Sequence, residues 1–161
     1  MGSMKTTGGK KLAAALNKAQ SVPRIKEVEV GFFATARYPP VRTGQRGGGK
    51  QSPVPVAFVA AIHEFGAPKA GIPERPFFRL GIEKAKPKVR RLVREELNPI
   101  DLAVTPYIAR RLGETVKREL QQSVTDLKNP PLKARTVERK GSDNPLIDTG
   151  FLRQSVAYEV R

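Results

Sequence analysis

Val104, Ile108, Leu112, Val116, Leu120 and Val124 recur at every fourth position. That spacing returns each side chain to nearly the same side of an α-helix, so residues 102–124 read as one long helix with a single core-facing stripe. Its other side carries Arg110, Arg111, Glu114, Lys117, Arg118 and Glu119, so one face must pack while the other meets water. A partner helix is expected to start near Pro76, an acceptable first-turn residue. It would carry Phe77, Phe78, Ile82, Ala85, Val89, Leu92 and Val93, and Pro87 should kink it.

Over residues 25–36 the period changes from four to two. Val28, Val30, Phe32 and Ala34 alternate with Glu27, Glu29, Gly31 and Phe33, the pattern of a half-buried strand. After Pro55, Val56, Val59, Ala60 and His63 share one helical stripe, Phe58, Ile62 and Phe65 the adjoining one, and Gly66 supplies a stop, which predicts a short buried helix. A further short amphipathic helix is expected over residues 10–20, with Leu12, Ala15, Leu16 and Ala19 on one face. Asn129-Pro130-Pro131 should end the long helix and open an irregular segment to Pro145. Asp148 or Thr149 can then cap a single turn through Gln154, and Val156, Tyr158 and Val160 alternate as a last strand. These elements predict an α+β fold: a small antiparallel sheet packed against two or three helices, with a long basic loop rich in Gly and Pro.

The chain has 161 residues, enough for one domain, here placed at residues 10–161. Met1-Gly2-Ser3 before a second methionine, Met4, looks like a cloning remnant, and residues 1–9 are expected to form a flexible terminus. With 39% hydrophobic residues but only 6% aromatic and no Trp, the core must come mainly from Val, Leu, Ile and Ala. The chain contains no Cys, so it can build neither a disulfide framework nor a thiolate metal site. The longest near-apolar stretch, residues 54–62, is too short to span a bilayer, and no membrane role is expected.

Lys and Arg number 30 against 15 acidic residues, a formal net charge of +15 that attracts polyanions. The imbalance is sharpest over residues 37–53, where Arg37, Arg42, Arg46 and Lys50 accompany four Gly and three Pro with no acidic residue. This segment reads as an exposed, mobile loop. Folded out and back, it could reach roughly 25 Å from the domain at about 3.3 Å per residue. Contact with DNA phosphates or an acidic partner is one reading of it, and a solubilising loop is the other.

Motifs that would carry chemistry are incomplete. Gly44-Gln45-Arg46-Gly47-Gly48-Gly49-Lys50 matches most of a phosphate-cradling loop, but Gln51 stands where Ser or Thr should bind magnesium, and no buried strand leads into it. His63-Glu64 opens like a zinc-protease helix, but Ala67 occupies the place of the second His, and His63 is the chain's sole histidine. Glu138-Arg139-Lys140 offers a nuclease-like fragment, with Asp126, Asp143 and Asp148 in no diagnostic arrangement around it. No enzyme activity, metal or cofactor is expected.

Two blocks together resemble a family. Val59-Ala60-Ala61-Ile62-His63-Glu64-Phe65-Gly66, followed by Ile72-Pro73-Glu74-Arg75-Pro76-Phe77-Phe78-Arg79, resembles the paired signature of tail-component and virion-morphogenesis proteins of tailed bacteriophages. Pro145-Leu146-Ile147-Asp148-Thr149-Gly150-Phe151-Leu152-Arg153-Gln154-Ser155 resembles the block near the end of many such proteins, and residues 129–136 match a common spacer. The residues of interest are therefore Glu64, Phe65, Gly66, Pro73, Arg75, Pro76, Phe77, Asp148, Thr149 and Gly150. Their mechanical reading is a helix-loop-helix corner, with the Arg75 guanidinium beside Glu64 or a neighbouring carbonyl, and a capped turn before the last strand. The resemblance implies a structural neck or tail-completion subunit that joins a ring of its own copies, commonly a hexamer, between head connector and tail tube. It implies residence in the virion after assembly in the host bacterial cytoplasm. Glu74, where a small residue is frequent, and the long basic loop depart from the pattern. The alternative from composition alone is a DNA-binding protein without sequence specificity.

Overall fold

A computed structural model describes residues 25–39, 53–97 and 104–161. The expected helix over residues 10–20 and the basic positions Arg42, Arg46 and Lys50 lie outside the described residues. The chain is α+β, in the order β1 (Val28–Gly31), α1 (Val56–Phe65), α2 (Phe77–Glu96), α3 (Pro106–Asp126), α4 (Ala134–Lys140), α5 (Phe151–Gln154) and β2 (Ala157–Val160). A 3-10 turn, Pro68–Ala70, sits between α1 and α2.

The two strands pair antiparallel, Val28 opposite Val160 and Gly31 opposite Ala157. Alternation places Val28, Val30, Tyr158 and Val160 on one face, where the Tyr158 ring lies against Gly113 of α3. The other face carries Glu29, Glu159 and Arg161, and the Arg161 guanidinium bridges both carboxylates at 3.0 and 2.9 Å. The strand is shorter than the alternation over residues 25–36 predicts. After Gly31 the chain leaves the ladder and turns, the Ala36 amide donating to the Phe33 carbonyl at 3.0 Å. Phe32 is thereby carried into the core, edge-on to Phe77 at 6.1 Å.

Helices α2 and α3 make the most extensive contact in the molecule. They run antiparallel, because Lys84 meets Asp126, Lys88 meets Glu119, and Glu96 meets Arg111. Gly81 sets their separation: a Cβ there would lie 2.8 Å from a Leu120 methyl and 3.0 Å from the Leu120 Cα. α3 starts at Pro106, four residues later than its periodicity suggests. Thr105 caps it, its hydroxyl accepting the Ile108 amide at 3.3 Å, and Pro106 occupies the first helical position. The fourfold recurrence also overstates its core stripe. Residues four apart advance by 400°, or 40° past a full turn, so a straight helix carries Leu112 and Val116 to half-burial while Ala109, Thr115 and Ser123 turn inward. Ser123 meets its new surroundings by donating to the Phe77 carbonyl at 2.7 Å.

The α2 helix continues through Pro87. The segment from Asn129 to Pro145, expected to be irregular, contains α4, which ends at Gly141 in the left-handed conformation. Ala134 to Lys140 holds no breaker of its own, so the prolines before it delay a helix without preventing one. The core gathers where α1, the start of α2, the end of α3, the segment before α5 and α5 itself meet: Val56, Ala60, Phe77, Val124, Leu146 and Leu152.

Because Gly113 gives Tyr158 its seat, Gly113→Ala should cost about 1–3 kcal/mol by overpacking. A Cβ there would stand 2.5 Å from the ring and 3.1 Å from the Tyr158 Cβ, and the gain in helix propensity, about 1 kcal/mol, offsets only part of that cost. Urea unfolding of the variant checks this, and a midpoint equal to or above the parent's would contradict it.

Candidate functional site

Corner residues between α1 and α2 are organised around Glu64, which α1 places on its buried side at 5% exposure. Its carboxylate accepts the Phe78 amide at 2.7 Å and the Arg79 amide at 3.2 Å. It therefore caps α2 from a distant position, satisfying amides that a helix N-terminus cannot satisfy itself, where its negative charge also faces the positive end of the helix dipole. The position just before α2 is Pro76, which has no side chain able to do this.

The guanidinium beside Glu64 belongs to Arg79, whose Nε donates to the carboxylate at 2.9 Å and whose terminal nitrogen pairs with Glu74. Those two carboxylates hold Arg79 above the ordinary arginine pKa, and it lies 5.9 Å from the centre of the Phe65 ring. Arg75 points elsewhere. It is 3% exposed and donates from Nε to the carbonyl of Pro130 at 3.1 Å, joining the corner to the chain that follows α3. Burial pulls its pKa below the ordinary arginine value. Of the two expected partners for Arg75, the Glu64 carboxylate or a neighbouring carbonyl, it takes a carbonyl, while Arg79 on the first turn of α2 stands over Glu64.

Gly66 closes the corner with φ of 73°, and a Cβ there would stand 2.8 Å from the Glu74 amide nitrogen. Ala67 and Ile72 then bridge in both directions, at 2.8 and 3.1 Å, and the Arg75 amide donates to the His63 carbonyl at 2.8 Å. Pro73 and Pro76 flank Arg75 in this turn, and Phe77 follows as a fully buried anchor. Phe65 is 69% exposed, its ring standing in solvent although it belongs to a helix expected to be buried.

In the second block Thr149, one of the two expected caps, meets the start of the turn, and Asp148 does not. Gly150, at φ of 76°, occupies the cap position of α5 and has no side chain to offer, so the contact comes from the residue before it. The Thr149 hydroxyl accepts the Phe151 amide at 3.4 Å, and Asp148 faces Tyr38. The stronger local device is Asn144, which the sequence reading missed. Its Oδ1 accepts the Leu146 and Ile147 amides at 2.9 and 3.1 Å, and its Nδ2 donates to the Thr125 carbonyl at 2.8 Å. An Asn immediately before Pro145 was the available signal.

The two blocks, about 70 residues apart in sequence, wall one groove of about 1310 Å³. Gly66 and Arg75 form one side, Leu132 and Thr136 another, and Asp148 and Thr149 a third, with Tyr38 at the root of the basic loop. That loop stands on a closed stem: Arg37 and Pro55 bridge, the Tyr38 amide donates to Val54 at 2.9 Å, and the Val56 amide to Ala36 at 3.0 Å. Arg37 is exposed and donates to the Pro53 carbonyl at 3.1 Å. The phosphate-loop-like residues 44–50 lie outside the described residues. His63 is half-buried on the groove wall, and Glu138 is exposed on α4. Among the described residues no three His, Asp or Glu side chains gather as a metal site, and no helix is long and apolar enough to cross a membrane.

The chain matches no family model, and comparison with curated proteins and with solved structures finds no significant match.

Two measurements probe this site. Glu64→Ala removes the acceptor of two helix amides and of Arg79, and should cost about 1–3 kcal/mol in urea unfolding. Glu64→Gln, which keeps an acceptor oxygen, should recover part of that loss. Burial, then the neighbouring Asp148 charge, raises the pKa of Tyr38. A raised folded-state value favours the neutral phenol, so its stabilising contribution is complete below the ordinary phenol pKa and is lost as pH rises through the higher one. Tyr38→Phe should flatten that alkaline limb, and an unchanged limb would remove Tyr38 as its cause.

Proposed function

We propose that this chain is a structural subunit of a tailed-phage particle, working in the neck or tail-completion region by assembly and without catalysis. The observation that carries this reading is how the residues of resemblance are used. Glu64, Gly66, Arg75 and Phe77 are committed to amides, carbonyls and packing that fix one corner, and two of that corner's residues, Gly66 and Arg75, wall the same groove as Asp148 and Thr149 of the second block. A family signature made of fold determinants suits a subunit whose product is a shape.

The surface agrees with such a role. α1 is apolar on nearly every side, yet Phe58 is 60% exposed and Phe65 projects beside it. A helix apolar all round is ordinarily buried, so this one reads as awaiting a neighbour. The loop on its closed stem suits an arm that reaches an adjacent subunit, and copies joined head-to-tail close into a ring when their rotation permits. A hexamer between connector and tail tube, in a virion assembled in bacterial cytoplasm, is the form the resemblance implies.

A second reading, a DNA-binding protein without sequence preference, is favoured by one observation, the net charge of +15 with an uncompensated loop at Arg37, Arg42, Arg46 and Lys50. Within a ring the same loop would meet DNA phosphates at the lumen. Light scattering should give a mass several times that of the 17.7 kDa chain. Affinity for duplex DNA should be weak at physiological salt and fall steeply as salt rises. A monomer at every concentration that holds duplex DNA tightly in physiological salt would exclude the ring and leave the second reading.

A further inference from the structure

The register of the sheet shows which backbone groups it leaves unused. Glu27 and Arg161 exchange both hydrogen bonds, at 3.1 and 2.9 Å, so they form a bonded pair. In an antiparallel ladder bonded and non-bonded pairs alternate, which makes Glu29 with Glu159 and Gly31 with Ala157 bonded, and Val28 with Val160 and Val30 with Tyr158 non-bonded. The amides and carbonyls of Val28 and Val30 therefore point out from one side of the sheet, and those of Tyr158 and Val160 from the other. The sheet has only these two strands among the described residues, and none of these four residues has a further backbone partner there. A groove of about 460 Å³ runs along the β1 side, between Val30–Phe33 and the Ala57, Ala61 and Phe65 side of α1.

We infer that the free edge of β1 pairs with the free edge of β2 from a second copy of this chain, so that one sheet continues from subunit to subunit. The inference rests on the ring reading above and names its contact. The two edges have equal length, four residues each, and lie on opposite sides of one sheet, so their pairing is head-to-tail, the geometry that generates rings. Charge selects the same place. Lys26, Glu27, Glu29, Glu159 and Arg161 around the edges supply two basic and three acidic residues, so two copies of a chain at +15 meet here without the repulsion their other surfaces carry. Strand addition supplies main-chain hydrogen bonds, and the groove beside β1 accepts apolar side chains of the incoming subunit.

Proline at an outward-facing position removes an edge donor while leaving the ladder within the chain intact. Val30→Pro blocks the β1 edge and Val160→Pro the β2 edge. Each variant alone should lose the assembly seen by light scattering and run as a monomer. Their equimolar mixture should form a dimer and nothing larger, since one intact β1 edge meets one intact β2 edge. Hydrogen exchange on the unmodified chain provides a readout that survives if a variant fails to fold. The amides of Val28, Val30, Tyr158 and Val160 should exchange at least tenfold more slowly in the assembly than after dilution to monomer. Assembly by the unmodified chain with those four amides exchanging fast, or with both proline variants keeping its mass, overturns the edge contact and leaves the ring standing. An unmodified chain that is monomeric at every concentration overturns both.

Discussion

The carboxylate of Glu64 is the point on which the remaining geometry turns. It leaves one helix and finishes the beginning of another, accepting two amides of α2 while it holds Arg79. A buried carboxylate is costly unless its charge is met by donors, and here the donors belong to the element whose position must be fixed. The orientation of α2 relative to α1 follows from that exchange, and the positions of Phe77 in the core and Arg75 in the groove follow from the orientation of α2. Losing the carboxylate would remove a hinge pin as well as a hydrogen-bond acceptor.

From α2 the structure is propagated by close approach. Gly81 brings the backbone of α3 near enough for Ser123 to reach the Phe77 carbonyl, and Gly113 opens the seat into which β2 lowers Tyr158. A two-stranded sheet is marginal in water unless something packs against it, and α3 is what packs here. The charged rims then tie the helices together where they meet solvent, as with Lys88 and the buried Glu119 at 2.6 Å.

The three longer helices and their order were legible in the sequence because apolar spacing reports local geometry, and the α+β class followed from them. Glu64 and Gly66 were legible as a corner for the same reason, since a helix stop is a local event. Which arginine meets Glu64 was not, because Arg75 precedes α2 and Arg79 stands on its first turn, and only the placement of α1 against α2 decides between them. The capping role of Asn144 was hidden similarly: its two acceptor contacts are local, but its bond to Thr125 crosses 19 residues. α4 is hidden in the sequence because the prolines before it read as breakers of a stretch they merely precede. The length of β1 was overestimated because alternation persists through Phe33, whereas the aromatic core pulls Phe32 off the ladder.

The closed stem beneath the basic loop has a consequence for how this chain can vary. Its strands of departure and return, at residues 36–38 and 54–56, are already hydrogen-bonded to each other. Whatever lies between them is tethered at a fixed short separation, and the entropy of closing a longer tether grows only with the logarithm of its length. Residues could be inserted or deleted between the two stem segments at little expense to the domain below. Length can therefore change in that one segment while the corner, the helix pair and the sheet stay unaltered.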